Sequence, residues 1–434
     1  MLSTFFDLLG VIDNFFWSYL GIYLVLLPGI FFTIRSGFFQ FKVISSPFTL
    51  FSELKDALHN KDGINPFKLF FSSMGGMVGL GNIVIIVTSV TAGGPGVLLW
   101  MWVASFSGMI IKYSEVYLGM KYRRPNADEG SFDGGPMFYL EHAFKSKFAS
   151  ISICILLCIY GVDVSQFKII TDNLAYSFNI DSTIAMAILL CLIFYASFGG
   201  IQRLANICTT VLPVFMVLYL IMCSWIIYMN AEKIPQMLYV VVTSAFSGHA
   251  PIFGFAGSSA LMALHFGIAR AVYSCDIGTG YDSVVQSTTK SKQPEAQAKL
   301  SIFAQLTSTI ISTFSITIVL LTDVWHDTSL VEPSQYISKA LAFHFPHTGL
   351  FMTVFVFMAG YTTIIAYYIA GIKAAKYINK DIGYKVYALY ALVAFIITNF
   401  VSQAALIIVM SFSSGLLVLF NIAGIIKLRH QIKF

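Results

Sequence analysis

Charge is what this chain has least of. Only 11% of its 434 residues are Asp, Glu, Lys or Arg, against about 25% in a soluble domain. With 57% of the residues hydrophobic, no single soluble core could absorb the apolar surface, because such cores stop growing at roughly 250–300 residues. The shortage of charge excludes an ordinary water-soluble protein and makes a bilayer the natural solvent. Cysteine is scarce too. The six cysteines form no CxxC pair and stand at no His/Cys ligand spacing; they read as small packing residues rather than a disulfide framework or a zinc site. There is no HExxH, no pairing of carboxylates and no nucleophile beside a base, so a membrane enzyme would lack its chemistry. The basic residues are scattered between apolar runs, and a net charge of +5 is therefore no nucleic-acid footprint. No N-x-S/T sequon occurs, which fits a bacterial protein, and the opening MLSTFFDLLGVIDN lacks the basic start and small-residue cleavage site of a removable signal peptide.

What is present is a series of long apolar runs. A bilayer core requires about 20 such residues per helix. Runs of that kind lie near 13–36, 67–92, 95–120, 149–178, 182–200, 205–229, 238–268, 299–323, 348–372, 384–401 and 404–426. Lys and Arg test this count of eleven, because cytoplasmic connections are enriched in them. With the N-terminus outside, 22 of the 26 basic residues fall on the inner side; only Lys233 and Lys339 fall outside, and Lys112 and Lys168 lie within spans. The C-terminus is then cytoplasmic and the membrane is the bacterial inner membrane. The stretch 41–60 is too polar to span and reads as an interfacial segment. The polar loop 281–300 has room for a short helix that caps the inner face.

Two runs carry too many breakers to be plain helices. SSMGGMVGLGN has Gly75, Gly76, Gly79 and Gly81 ahead of Asn82. GHAPIFGFAGSS has Gly248, Pro251, Gly254 and Gly257. In lipid, irregular backbone is tolerated only where it is buried or lines a cavity. Interrupted helices at matching places in two halves mark an inverted-repeat transporter, whose freed N–H groups and carbonyls hold the substrate and its ion. The predicted organisation is all-α: residues 1–65 hold an N-terminal span and the interfacial segment, 66–229 the first five-helix repeat, 230–401 the second, and 402–434 the last span and a short tail.

The stretch GLGNIVIIVTSVTAGGPGVLLWMWVASFSGMIIKYSEVYLGMKYR (79–123) resembles the signature region of the alanine or glycine:cation symporter family, also called sodium:alanine symporters. DGGPMFYLE, GGIQRLAN, GIARAVYSCDIGTG and TTIIAYYIAG look like later motifs in the same order. The resemblance implies a leucine-transporter-like core with an added N-terminal helix, and import of a small neutral amino acid, such as alanine or glycine, with a cation. It implies that Gly76, Gly79, Gly81, Asn82, Gln166, Phe255, Gly257, Thr363 and Tyr367 line the substrate site, with Gly254 and Ala256 beside them in the second break. It implies that Met77, Thr362 and Thr363 face a cation. Several positions depart from the family pattern: Met77 and Leu80 replace threonines, Tyr367 a tryptophan, Lys168 an asparagine, and Ser274–Gly278 reads Ser-Cys-Asp-Ile-Gly.

Charges inside a span ask for a partner. Lys112 and Glu115, three apart, read as an ion pair with the lysine snorkelling inward, or as a gate. Lys168 reads as a bridge to Asp172, with Asp163 on another face, or as a proton-coupling amine that replaces or modifies sodium binding. His249 and His265 read as packing or pore-lining residues. No cofactor beyond Na+ or H+ and no obligatory protein partner is expected. Two alternatives stay open: a proton-coupled or sodium-independent carrier of a different small amino acid or metabolite, and a channel.

Overall fold

The computed structural model describes residues 2–55, 63–126, 129–247, 260–327, 330 and 333–434. Its first span runs through α1 (Leu2–Phe15), a π-helical stretch and α2 (Ile22–Arg35), followed by α3 (Phe39–Ser45) and α4 (Pro47–Lys55). Then come α5 (Pro66–Met77), a π-helical segment at Gly81–Ile85, α6 (Ile86–Gly93) and α7 (Val97–Lys121). Strands β1 (Arg124–Asn126) and β2 (Ser131–Asp133) pair as an antiparallel hairpin before α8 (Pro136–Phe144). Helices α9 (Lys147–Tyr160), α10 (Val164–Phe178), α11 (Ser182–Ser197), α12 (Gly200–Met229), α13 (Ile234–Ser247) and α14 (Ala260–Cys275) follow. The remainder is α15 (Tyr281–Gln286), α16 (Pro294–Leu321), α17 (Pro333–Ala342), α18 (Thr348–Ile378), α19 (Gly383–Ile397) and α20 (Gln403–Lys427).

These helices are apolar on both faces. On α12, Leu204, Cys208, Leu212, Tyr219, Cys223 and Ile226 are buried at helical spacing, while Val214, Val217, Leu218, Ile221 and Trp225 are exposed. A helix that is hydrophobic all round and still presents half of itself outward is built for lipid. Among the described residues, eight helices are long and apolar enough to cross a bilayer, or nine if α5 and Gly81–Gly93 make one bent span. The expected eleven is thus not met on length alone. At 16 residues α11 is short, since about 1.5 Å per residue leaves it under the roughly 30 Å of hydrocarbon. The expected span 238–268 has its ends in α13 and α14, while its breakers Gly248 to Gly257, with His249 and Phe255, lie outside the described residues.

Both polar segments contact protein. In the described part of 41–60, Phe41 and Phe48 are exposed, while Leu50 and Leu54 of α4 meet Ala296 and Leu300 of α16, and Lys299 bridges Glu53 at 2.7 Å. The predicted short helix of 281–300 is present as α15, and the loop after it is interior. Ser287, Thr288, Thr289 and Ser291 are buried, and Arg123 satisfies the carbonyls of Ser287, Thr289 and Ser291 at 2.7–3.0 Å. A polar sequence can be interior when one guanidinium supplies the donors its backbone lacks. That burial lowers the Arg123 pKa to about 10.

Candidate substrate and ion site

The chain leaves its helix where the glycines lie. Asn65 caps α5 by accepting from the N–H groups of Phe67 and Lys68, with Pro66 in the first turn. The helix stops at Met77, Val78 takes φ −92° and ψ 77°, and the axis is bent by 46° before Gly81–Gly93 continues. Two N–H groups of the break are satisfied by side chains: Gly79 donates to Asn82 Oδ1 at 3.3 Å and Leu80 donates to Gln166 Oε1 at 3.1 Å. A Cβ on Gly79 would collide with Thr363 Oγ1 and stand 2.9 Å from Gln166 Oε1. Glycine is therefore what lets α10 and α18 touch the open backbone. Thr363 donates to the carbonyl of Gly75 at 2.9 Å. Gly76 and Gly75 remain helical and serve close packing, the first against Tyr281 and the second against Cys208. The glycine cluster thus does both jobs, with packing at 75–76 and opening at 79.

Opposite the break, the expected single span 149–178 is itself interrupted at Gly161–Asp163. Asp163, at φ 41°, caps α10 and is fully buried. Its carboxylate accepts from the Gln166 N–H at 3.3 Å, from Gln166 Nε2 at 2.6 Å, from Ser165 Oγ at 3.1 Å and from Tyr273 Oη at 3.3 Å. Because a carboxylate only accepts, it turns the Gln166 amide nitrogen toward itself and leaves Oε1 for Leu80. Asp163 faces away from Lys168, as the spacing predicts, and its D-x-x-Q spacing at the break is a capping signature. Tyrosines close the far wall. Tyr367 packs on Tyr160 and Tyr281 with ring centroids 5.0 and 4.6 Å apart, and its hydroxyl donates to Asp276 Oδ1 at 3.4 Å. Among the described residues, Tyr160 Oη has no hydrogen-bond partner although it is buried.

A family model of the sodium:alanine symporters matches residues 3–433. The chain belongs to this family. A sodium/alanine symporter of Methanococcus maripaludis is 27% identical, over 90% of this chain and 88% of its own. A probable sodium/glutamine symporter of Bacillus subtilis is 28% identical, over 86% and 78%. The crystal structure of MhsT in complex with L-phenylalanine superposes with a TM-score of 0.60 at 12% identity, covering 82% of this chain and 89% of that one. The inward-facing conformation of Mhp1 gives 0.52 at 13% identity, over 87% and 79%. The fold is shared with these carriers. The symporter is a multi-pass membrane transporter and not an enzyme.

The remaining expected site residues divide. Tyr367 reaches α5 through Tyr281, which packs on Gly76, and Gly79, Gln166 and Thr363 come together at the break. Asn82 keeps its oxygen there but turns its Nδ2 to Ser308 Oγ at 2.7 Å and Ser312 Oγ at 3.0 Å. Gly81 is 3.3 Å from the Ser274 Cα when given a Cβ, so it marks where α14 crosses. Thr362 bonds its own helix, at Met358 O and Ala359 O, and the Met77 sulfur accepts from Ser73 Oγ at 3.6 Å. Phe255 and Gly257 lie outside the described residues. Lys168 does bridge Asp172, at 3.1 Å, at the half-exposed edge of α10 and with no bond to Gln166 or Thr363. His265 bonds Ser18, away from the break.

The expected Lys112–Glu115 pair is replaced by another arrangement, and Lys112 does not snorkel. It is fully buried and donates to the carbonyls of Cys275 and Asp276 at 3.0 and 2.9 Å. Those carbonyls end α14, where the helix dipole attracts a cation. Glu115 instead accepts from Asn421 of α20 at 2.9 Å. Sequence spacing could not find this, because the partners lie on chain-distant helices. Toward the end carrying Arg123 and the C-terminus, a cavity of about 570 Å³ runs between Glu129, Thr288, Ile369, Ile372, Lys373 and Tyr384. It reaches to within two residues of Tyr367 along α18. The hairpin contributes to its lining and is tied to α18: Lys373 bridges Asp133 at 2.5 Å and Glu129 at 3.3 Å, and Lys376 bridges Glu129 at 3.1 Å.

Proposed function

We propose that this symporter imports a small neutral amino acid, with alanine, glycine or serine first, together with sodium or protons by alternating access. One observation carries the reading: two backbone N–H groups at the 78–80 break face side-chain amide oxygens of Asn82 and Gln166. Those oxygens stand in for a carboxylate. A bound α-carboxylate would displace them, and N–H donors at a helix break are the usual grip on an anionic group. Gln166 would then orient the polar groups of the zwitterion, Tyr367 and Thr363 would bound the side chain, and Phe255 and Gly257 would contribute from the second break. Carbonyls near Met77 and the hydroxyls of Thr362 and Thr363 would hold the cation. The proposal includes eleven spans, two inverted five-helix repeats, the bacterial inner membrane, an outside N-terminus and no cofactor.

The polar wall of Tyr367, Tyr160 and Asp276 favours a second reading within the same class. It suits a side chain that hydrogen-bonds, and one relative is named a probable sodium/glutamine symporter, so serine or glutamine belongs in any panel. The test is uptake of labelled amino acids into proteoliposomes with sodium and proton gradients imposed separately. Accumulation of at least one small neutral amino acid under one gradient is expected; none under either would end the proposal.

A further inference from the structure

Four ionisable side chains lie buried beside the first broken helix. Lys112 and Glu115 on α7, Asp276 just after α14 and Asp282 on α15 are all fully buried. Lys112 stands 3.7 Å from Asp276 Oδ2. Asp276 Oδ1 accepts from Thr279 and from Tyr367. Asp282 Oδ1 accepts from Ser73, one turn before the α5 break. Glu115 Oε2 accepts from Asn421, which also donates to the Gly278 carbonyl at 2.8 Å. The other oxygen of each acid, Glu115 Oε1, Asp276 Oδ2 and Asp282 Oδ2, makes no hydrogen bond of ordinary geometry, although Lys112 stands beside Asp276 Oδ2 and Gln286 beside Asp282.

The charges do not balance. Three carboxyl groups face one ammonium, and among the described residues no other Lys or Arg is bonded to them. Tyr139 on α8 faces Glu115 through Asn421, and Tyr281 and Tyr367 line the Asp276 side; these are neutral donors. On α16, Lys299 is occupied by Glu53, and α5 presents only Ser73. An ionised carboxylate left unpaired in a low-dielectric interior is strongly disfavoured, and the group neutralises instead. Among the described residues no three acidic, His or Cys groups are placed together to hold a metal ion. A proton on a carboxyl oxygen removes the surplus charge without any further ligand, and each acid keeps an oxygen that no donor of ordinary geometry bonds.

We propose that Glu115, Asp276 and Asp282, organised around Lys112, form the proton-binding site of this transporter. A proton enters from the outer solution with the substrate, bonds to one of the free carboxyl oxygens, and leaves to the inner solution after the substrate. The cluster holds the means to link the two events. Tyr367 joins Asp276 to the substrate wall, Ser73 joins Asp282 to the first broken helix, and Lys112 pins the end of α14 to α7. Protonation at any of the three acids alters the bonds that hold these helices together. The inference rests on the amino-acid carrier reading and gives its coupling ion a place.

Proteoliposomes separate the two. For one proton per substrate, a one-unit inward pH gradient should drive about tenfold accumulation of the transported amino acid. Glu115→Gln and Asp282→Asn should lower that ratio toward unity while counterflow, which requires no gradient, persists. Accumulation driven by sodium alone and indifferent to pH would overturn the inference and leave the carrier reading standing; no transport of any amino acid would strike the carrier reading itself. Where the variants fail to fold, the wild type decides. In weakly buffered detergent, a pH-indicator dye should report proton uptake on addition of the transported amino acid. A silent dye would mean a fixed structural network and overturn the proposal.

Discussion

Gln166 can hold the Leu80 N–H only in one of its two amide orientations, and Asp163 selects it. Gln166 and Thr363 were readable from motif resemblance. The role of Asp163 was not, because its D-x-x-Q spacing signals a cap only once the run is known to break at Gly161. Asp163→Asn keeps a good capping residue but loses a hydrogen bond to a charged group, of the order of 1.5–3 kcal/mol. The expected outcome is a KM raised about tenfold or more, read from uptake kinetics, with thermal stability little changed. Tyr367→Trp should enlarge the aromatic wall and remove the hydroxyl that reaches Asp276. Competition assays should then show a preference shifted toward glycine and alanine and away from hydroxyl- or amide-bearing amino acids. An unchanged order of competitors would move the side-chain pocket elsewhere. Lys112→Met removes the only ammonium from among three buried acids. Breaking a buried pair costs about 3–5 kcal/mol, so a clear fall in melting temperature in detergent is expected.

The first broken helix was legible because glycine at this density has few other uses in a membrane span. The β1–β2 hairpin and the burial of 287–291 were not, since both depend on partners far along the chain. The hairpin offers a pH test. Burial pushes the Glu129 carboxyl up, but Lys373 and Lys376 outweigh it and hold it below the usual glutamate range. A depressed carboxylate stabilises the folded contact at all pH above its unfolded value, and that contribution is lost as pH falls through the lowered one. The hairpin should therefore stay latched to α18 at neutral pH and loosen in acid, below about pH 4. Hydrogen exchange of residues 124–133 measures this; Glu129→Gln should exchange fast at both pH values.

We propose, from sequence alone, that the alternation of basic and non-basic connections sets the orientation of the whole molecule. It requires a cysteine introduced at Lys427 or Lys433 to be labelled by an impermeant reagent only from the cytoplasmic side, and one at Glu232 only from outside. The fold is shared with MhsT, but the function hangs on whether the opening at 78–80 is where the substrate sits. Gly79→Ala tests that most directly. Gly79 has no unusual backbone angle, so the added methyl disturbs only the space between Thr363 and Gln166. Substrate binding to the purified variant should be lost, or weakened at least about a hundredfold, while it remains folded and monodisperse. Wild-type affinity in Gly79→Ala would contradict the account.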